Sequence, residues 1–246
     1  MNRPTAIAIL PVRVDSQRLP GKALLAESGQ PLFVHTLEAA RSARSFDRVW
    51  VATDDDRVAA AAERAGAGVV RTTSRPRTGS ERCAEALAEI GAADIIVDVQ
   101  GDWPEVDPAD LDAVVAELAA GRRPMATLAS PLHDPDAIAD PNVVKVVRAR
   151  DGSALYFSRS PVPHVRPGRS HPVLRHIGVY GFTRTTLESI TALPSSGLAE
   201  AEGLEQLRFL ENGIAIAVLD ARRDAQGIET RADYDRFLQR RRRHPT

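Results

Sequence analysis

The stretch AIAILPVRVDSQRLPGKALL, residues Ala6 to Leu25, decides the fold of this chain. It opens with an apolar run that fits a buried parallel strand, and Pro11 ends that run. The loop that follows carries three cations, Arg13, Arg18 and Lys22. Open α/β sheets bind ligands at loops that leave the carboxyl ends of their strands. The stretch therefore predicts a first strand and a polyanion site, although its spacing alone also fits a solvated surface loop.

The composition is that of an ordinary globular protein, and it disfavours several classes of function. The 246 residues are 43% hydrophobic and 26% charged, with a net charge of −1. This charge and an aromatic content of 4% argue against nucleic-acid binding. No apolar stretch approaches the roughly 18 residues of a membrane helix. Because Cys83 is the single cysteine, no intramolecular disulfide forms. We expect a cytoplasmic protein with neither membrane nor nucleic acid as a partner.

Strand-like and helix-like segments alternate through the first half of the chain. This alternation predicts an α/β fold with a mostly parallel central sheet and helices on both faces. The predicted strands are 6–10, 48–52, 69–72, 94–99, 125–131, 143–150, 176–184 and 214–219. The predicted helices are 31–44, 57–65, 80–90, 108–120, 200–211 and 230–243. The proline-rich segment 161–172 is interpreted as a mobile loop or a dimer contact.

The first loop resembles the N-terminal signature of the sugar-acid cytidylyltransferases, in particular the 3-deoxy-manno-octulosonate (KDO) cytidylyltransferases. Their pattern is close to PARxxSxRLPGKPL, and it matches here at Arg13, Ser16, Arg18, Leu19, Pro20, Gly21 and Lys22. Further blocks keep the family's order: TGSER (78–82), VQGD (99–102), PNVVKVV (141–147), ALYFSR (154–159), RHIGVYGF (175–182) and LEQLR (204–208). The resemblance implies a Rossmann-like nucleotidyltransferase fold and transfer of CMP from CTP to an acidic acceptor.

The sequence has no repeat, no low-complexity segment and no clean linker, which predicts one domain, 1–246, with three regions. Residues 1–130 would form the nucleotide-binding half, and 131–226 an acceptor-binding and dimerisation region that includes a smaller lid. Residues 227–246 would hold a metal ligand and a terminal helix. By the same resemblance, we expect a homodimer.

Phosphate binding would fall to the first loop. Arg13 and Lys22 would contact the β- and γ-phosphates, and Lys22 would also stabilise charge on the pyrophosphate leaving group. Ser16 belongs to the same nucleotide site, and Arg18 either joins it or anchors the loop.

The cytosine would be read at the start of a helix, by Ser80 and Arg82. The alternative without a functional role is that Arg82 forms a surface ion pair with Glu85, three residues further along the helix. Gln100, directly after a buried strand, matches a family position close to both substrates.

Two carboxylates are candidates for holding Mg²⁺, which prefers oxygen ligands. Asp102 follows a buried strand, and Glu229 stands where the family has an aspartate. Without the resemblance, Asp102 fits a turn cap equally well, and Glu229 fits a charged residue before a helix that Thr230 caps.

Acceptor recognition would fall mainly to the second half of the chain. The family positions near the sugar acid match Gln100, Arg175, His176, Tyr180, Glu205 and Gln206, and Arg159 is a further candidate ligand for an anionic acceptor. Arg175 suits a carboxylate, because its planar guanidinium can bind one bidentately. His176 is interpreted either as an acceptor ligand or as a core histidine.

Three departures from the family pattern surround this expected site. Trp103 replaces the glutamate of QGDEP, Ala199 replaces the glutamate of SPLE, and Glu229 replaces an aspartate. Losing carboxylates favours a small, highly charged acceptor, so the sequence puts a phosphonate such as phosphonoformate, in natural-product biosynthesis, slightly ahead of KDO for lipopolysaccharide. A third interpretation is a nucleotide-binding protein without turnover, against which the retained Arg13, Lys22 and Asp102 argue.

Overall fold

The computed structural model describes residues 3–16 and 18–243, and a nine-stranded sheet forms its centre. The strands are β1 (Ala6–Pro11), β2 (Arg48–Thr53), β3 (Gly68–Arg71), β4 (Ile95–Val99), β5 (Met125–Leu132), β6 (Lys145–Arg148), β7 (Ala154–Ser158), β8 (Val173–Thr183) and β9 (Ile216–Asp220). The helices are α1 (Leu32–Ser42), α2 (Asp56–Arg64), α3 (Gly79–Ile90), α4 (Pro108–Ala119), α5 (Pro135–Ala139), α6 (Arg184–Glu188), α7 (Gly197–Glu202), α8 (Gln206–Glu211) and α9 (Arg231–Arg243).

The strand order confirms the predicted α/β architecture. The sheet runs β3, β2, β1, β4, β8, β5, β9, with parallel pairing everywhere except at β8, which is antiparallel to both β4 and β5. The antiparallel pair β6 and β7 joins the sheet through β6, which pairs with β8. Because β1 and β4 are adjacent and parallel, their carboxyl ends meet at one edge of the sheet. The first loop and the segment around Asp102 therefore lie side by side.

Helices cover both faces of the sheet, as the pattern predicts. Alternate residues of β1 point to opposite faces, so Ala8 packs in one apolar cluster and Ile9 in the other. Helices α1, α2 and α4 cover the Ala8 face, and α3, α6 and α8 cover the Ile9 face. Helix α9 adds a third cluster, in which Tyr234 and Phe237 pack against Leu32. This last contact brings the segment before α9 back to the first loop.

The predicted single helix 200–211 is wrong. Gly203 has φ 61 and ψ 43, a left-handed conformation that glycine adopts readily, and it ends α7 before α8 begins. Glu202 and Glu205 therefore do not share one helix face. Strand β7 also has no counterpart among the predictions, because its short run of residues has little periodicity to detect.

The C-terminal arginines are not all solvated. The Arg240 guanidinium donates to both carboxylate oxygens of Glu105, with Nε at 2.9 and 3.0 Å, so this end of α9 is tied to the loop after β4. Residues 244–246 of the predicted terminal region lie outside the described residues. Across 3–16 and 18–243, no helix combines the length and the hydropathy needed to cross a membrane.

Candidate active site

Lys22 lies where three segments of the chain meet. Gly21 has φ 70, which turns the first loop so that Lys22 opens a short 3₁₀ turn. The Lys22 Nζ donates to Asp102 Oδ2 at 2.6 Å, to Glu229 Oε2 at 2.9 Å and to the Ile228 carbonyl at 3.0 Å. The structure thus brings together three of the predicted site residues, although 207 positions separate Lys22 from Glu229.

The charges around Lys22 favour its protonated form. Burial alone would lower the pKa of Lys22, but the nearby carboxylates of Asp102 and Glu229 outweigh burial and raise this pKa above its ordinary value. Lys22 is therefore a cation at neutral pH.

Arg18 anchors the first loop to two other segments. Its Nη2 lies 3.1 Å from Glu229 Oε2, and its Nη1 donates to Asn142 Oδ1 at 2.5 Å. The segment around Asn142 is itself held by the fully buried Lys145, whose Nζ donates to the carbonyls of Asp140 at 3.0 Å and Val143 at 2.6 Å. These contacts fit the interpretation of Arg18 as a residue that anchors the loop.

Arg13 and Ser16 lie in the same loop. The Arg13 guanidinium donates to the Pro76 carbonyl, just before α3. Burial lowers the pKa of Arg13, and the positive charge of Arg82 lowers it further. The hydroxyl of Ser16 accepts from the Leu19 amide at 3.3 Å, which shapes the loop from within.

Arg82 is buried, with 1% of its surface exposed. It donates to the Thr72 hydroxyl and pairs with Asp54 at 3.3 Å. The surface pair with Glu85 is wrong, because Glu85 instead accepts from the Thr73 amide at 2.6 Å. Arg82 therefore joins α3 to the ends of β2 and β3, and it does not line the cleft described below.

Ser80 and Glu205 connect α3 to the segment between α7 and α8. The Ser80 amide donates to Glu205 Oε2 at 3.1 Å. Burial raises the pKa of Glu205, while hydrogen bonds from Thr78 and Ser80 oppose that rise.

Asp98 is a residue that the sequence predictions missed. It is fully buried in β4, and both of its carboxylate oxygens accept from Gln100 Nε2, at 2.9 and 3.0 Å. Burial raises the pKa of Asp98, and the neighbouring charge of Glu205 adds to this effect. An available signal was the aspartate within the apolar run DIIVDV, two positions before Gln100.

A cleft of about 1130 Å³ opens beside these groups. Its wall contains both predicted metal ligands and every predicted acceptor residue: Gln100, Asp102, Arg159, Arg175, His176, Tyr180, Glu205, Gln206 and Glu229. The three departures from the family pattern, Trp103, Ala199 and Glu229, also line it.

The two arginines of the cleft differ in how firmly they are held. The Arg159 guanidinium donates to the carbonyls of Glu202 at 2.7 Å and Pro141 at 2.9 Å, so backbone groups occupy most of its donors. Arg175 Nη1 donates to Asp224 Oδ1 at 2.8 Å, while its buried Nε has no partner within residues 3–16 and 18–243. Arg175 therefore has more donor capacity left for a bound anion.

His176 and Tyr180 lie on the same face of β8. The His176 Nε2 is 3.0 Å from the Thr127 hydroxyl, and the imidazole packs edge-on against Phe157. Burial lowers the pKa of His176 to about 3, so the ring is neutral at pH 7. The Tyr180 hydroxyl donates to Gln206 Oε1 at 3.1 Å, and the buried Gln206 Nε2 is unpartnered in the described part of the chain.

Trp103 forms a flat wall of the cleft. A Cβ at Gly178 would lie 2.4 Å from the indole Nε1, and one at Gly227 would lie 3.1 Å from Cε2. Both positions are glycine where the indole comes closest, so the tryptophan fits because its neighbours lack side chains.

Known cytidylyltransferases are similar to this chain in sequence. The family model described as "Cytidylyltransferase" matches residues 7–216. The chain is 46% identical over 230 residues to a 3-deoxy-manno-octulosonate cytidylyltransferase of Anaeromyxobacter sp. (strain Fw109-5), covering 93% of each protein. It is 44% identical over 234 residues to one of Chlorobium limicola, covering 94% of each.

A solved structure shares the fold. It is a CMP:2-keto-3-deoxy-manno-octonic acid synthetase complexed with CTP, with a TM-score of 0.90, 34% identity and coverage of 97% of this chain and 99% of that one. The 4-diphosphocytidyl-2C-methyl-D-erythritol synthase of Anaerococcus prevotii, at 14% identity and a TM-score of 0.64, shows the fold alone. This chain belongs to the cytidylyltransferase family, and it is a CTP-dependent nucleotidyltransferase.

Proposed function

We propose that the enzyme transfers CMP from CTP to 3-deoxy-manno-octulosonate and releases pyrophosphate. The observation that carries this proposal is the convergence of Lys22, Asp102 and Glu229 at the cleft that holds the predicted acceptor residues. The names of the relatives at 44–46% identity support the same acceptor. The phosphonate that the sequence favoured finds no support among these relatives.

In the proposed reaction, a hydroxyl oxygen of the acceptor attacks the α-phosphorus of CTP in line with the leaving pyrophosphate. The new P–O bond forms as the bond to pyrophosphate breaks, and the hydroxyl proton passes to solvent. Lys22 is a cation at the junction and would stabilise the charge on the leaving group. Arg13 adds a second positive charge from the same loop.

Asp102 and Glu229 are the residues that would hold Mg²⁺. Each presents one carboxylate oxygen to the Lys22 ammonium, at 2.6 and 2.9 Å, so the two oxygens converge, and oxygen ligands of this kind suit the ion. Within 3–16 and 18–243, no group of three or more acidic, histidine or cysteine side chains is placed to bind a metal. Two carboxylates are enough where phosphate oxygens and waters complete the shell. Bound there, Mg²⁺ would neutralise charge on the α-phosphate.

Pyrophosphate release from CTP and Mg²⁺ tests the proposal, with KDO and phosphonoformate supplied separately at matched concentrations. We expect turnover with KDO alone. Lys22→Ala is the matched control, and it should lower turnover by about 10²-fold or more while the far-UV circular dichroism is unchanged. Turnover with phosphonoformate alone would overturn the assigned acceptor. Equal activity of Lys22→Ala and the wild type would overturn the assigned site.

A further inference from the structure

Asp98 is an acidic residue at a buried position of the central sheet, where apolar residues are usual. It lies in the centre of the sheet, paired with Ile9 of β1 and Tyr180 of β8, and its side chain is fully buried. A carboxyl group in such a place is costly unless it is hydrogen-bonded. Asp98 and Gln100 are two residues apart, so they project from the same face. The two side chains accordingly meet.

The Gln100 amide is enclosed at one end and open at the other. Its Nε2 lies 2.9 and 3.0 Å from the two oxygens of Asp98. A Cβ at Gly79 would lie 2.1 Å from this nitrogen, so the first turn of α3 closes over it. Gln100 nevertheless lines the cleft. The end of the amide that is not held between Asp98 and Gly79 is the end that a ligand meets.

Chemistry decides which end that is. The structure places the NH₂ group of Gln100 against both carboxyl oxygens of Asp98, and a carboxylate accepts hydrogen bonds but donates none. The carbonyl oxygen of the amide is therefore the atom left to face the cleft.

We infer that Asp98 is a positioning residue that fixes Gln100 as a hydrogen-bond acceptor in the cleft, so that the acceptor substrate must present a hydroxyl donor there. This inference rests on the proposed function and deepens it. A sugar acid carries such hydroxyls, whereas a fully ionised phosphonoformate has only acceptor oxygens. The Gln100 carbonyl oxygen therefore favours acceptors that carry a hydroxyl group. Asp98 holds this oxygen in place from the side of the amide that faces away from the cleft.

The kinetic test uses Asp98→Asn, which keeps the shape of the side chain but lets the Gln100 amide point either way. With KDO as the varied substrate, we expect the KM for KDO to rise about 10-fold, with kcat within about twofold. Gln100→Ala should raise the same KM, and adding Asp98→Asn to it should have no further effect, because Asp98 acts through Gln100. Asp56→Asn, the same carboxyl-to-amide change at a side chain that is 95% exposed and outside the cleft, is the matched control and should leave this KM unchanged.

A second readout does not depend on turnover. In ¹⁵N-labelled protein, the enclosed Gln100 NH₂ group should exchange its protons slowly in the wild type and in Asp56→Asn. Exchange should become fast in Asp98→Asn. Fast exchange in the wild type would overturn the inference.

The outcomes separate the inference from the proposed function. Turnover of KDO with an unchanged KM in Asp98→Asn would overturn the inference and leave the function standing. Turnover of another hydroxyl-bearing sugar acid in place of KDO would overturn the function, and the KM comparison would then be made with that acid. Turnover of phosphonoformate alone would overturn both, because that acceptor has no hydroxyl to donate. If no acceptor is turned over, the function falls and the exchange measurement decides the inference.

Discussion

At the scale of single residues, burial determines what each side chain of the cleft can do. Lys22 remains charged because two carboxylates outweigh its burial. His176 has the Thr127 hydroxyl and the rings of Phe157 and Tyr180 as neighbours, so burial keeps it neutral. Burial therefore leaves Lys22 charged and His176 neutral. A charged ligand would meet a cation at Lys22 and a neutral ring at His176.

The low pKa of His176 predicts how stability responds to acid. The folded-state pKa, about 3, lies below the ordinary value of 6.5, so the contribution of the neutral ring is complete above pH 6.5 and is lost as pH falls towards 3. The loss is about 1.4 kcal/mol for each pH unit below 6.5. The free energy of unfolding of the wild type and of His176→Gln, measured in urea at pH 7 and pH 5, checks this. We expect the difference between the two proteins to shrink by about 2 kcal/mol at pH 5. A difference that is independent of pH would contradict the prediction.

At the scale of elements, close contacts with Trp103 require glycine at two positions. Gly178 in β8 lies under Trp103, and Gly227 flanks the same indole. These contacts join a strand of the sheet to the loops after β4 and β9. Neither partner of Trp103 is adjacent to it in sequence. Whether a tryptophan fits at position 103 therefore depends on residues that are distant in the sequence.

Gly178→Ala should destabilise the fold, because its Cβ would lie 2.4 Å from the Trp103 Nε1. We expect a loss of about 1–3 kcal/mol in the free energy of unfolding, as for other overpacked sites. In a Trp103→Ala background the loss should largely disappear, giving a coupling energy of about 1 kcal/mol or more. Gly197→Ala is the matched control, since nothing lies within 4 Å of its Cβ. Equal costs in both backgrounds would show that the contact is not the cause.

At the scale of the whole molecule, the sequence predicted the architecture better than the site. Apolar periodicity placed most strands of the sheet, and the carboxyl ends of β1 and β4 came together as a parallel sheet requires. The burial of Arg82, the break at Gly203 and the contact of Asp98 with Gln100 were not predicted. Each depends on packing between distant segments, which local patterns do not record.

The predicted homodimer stays a prediction, and β7 offers a surface for it. Leu155 on this strand is 59% exposed, more than any other large apolar side chain in the described chain. Light scattering after gel filtration should report a dimer for the wild type and a monomer for Leu155→Glu. Leu198→Glu, at the other exposed leucine, should remain dimeric as the control. A monomeric wild type at about 50 μM would contradict the prediction, since obligate dimers of typical interface size persist well below that concentration.

The quartet of Arg18, Lys22, Asp102 and Glu229 has two positive and two negative side chains within hydrogen-bonding reach. Because each cation of the quartet is already paired with a carboxylate, an incoming phosphate competes with Asp102 and Glu229 for Lys22. Binding of the nucleotide there therefore exchanges one ion pair for another, and does not simply add a new one.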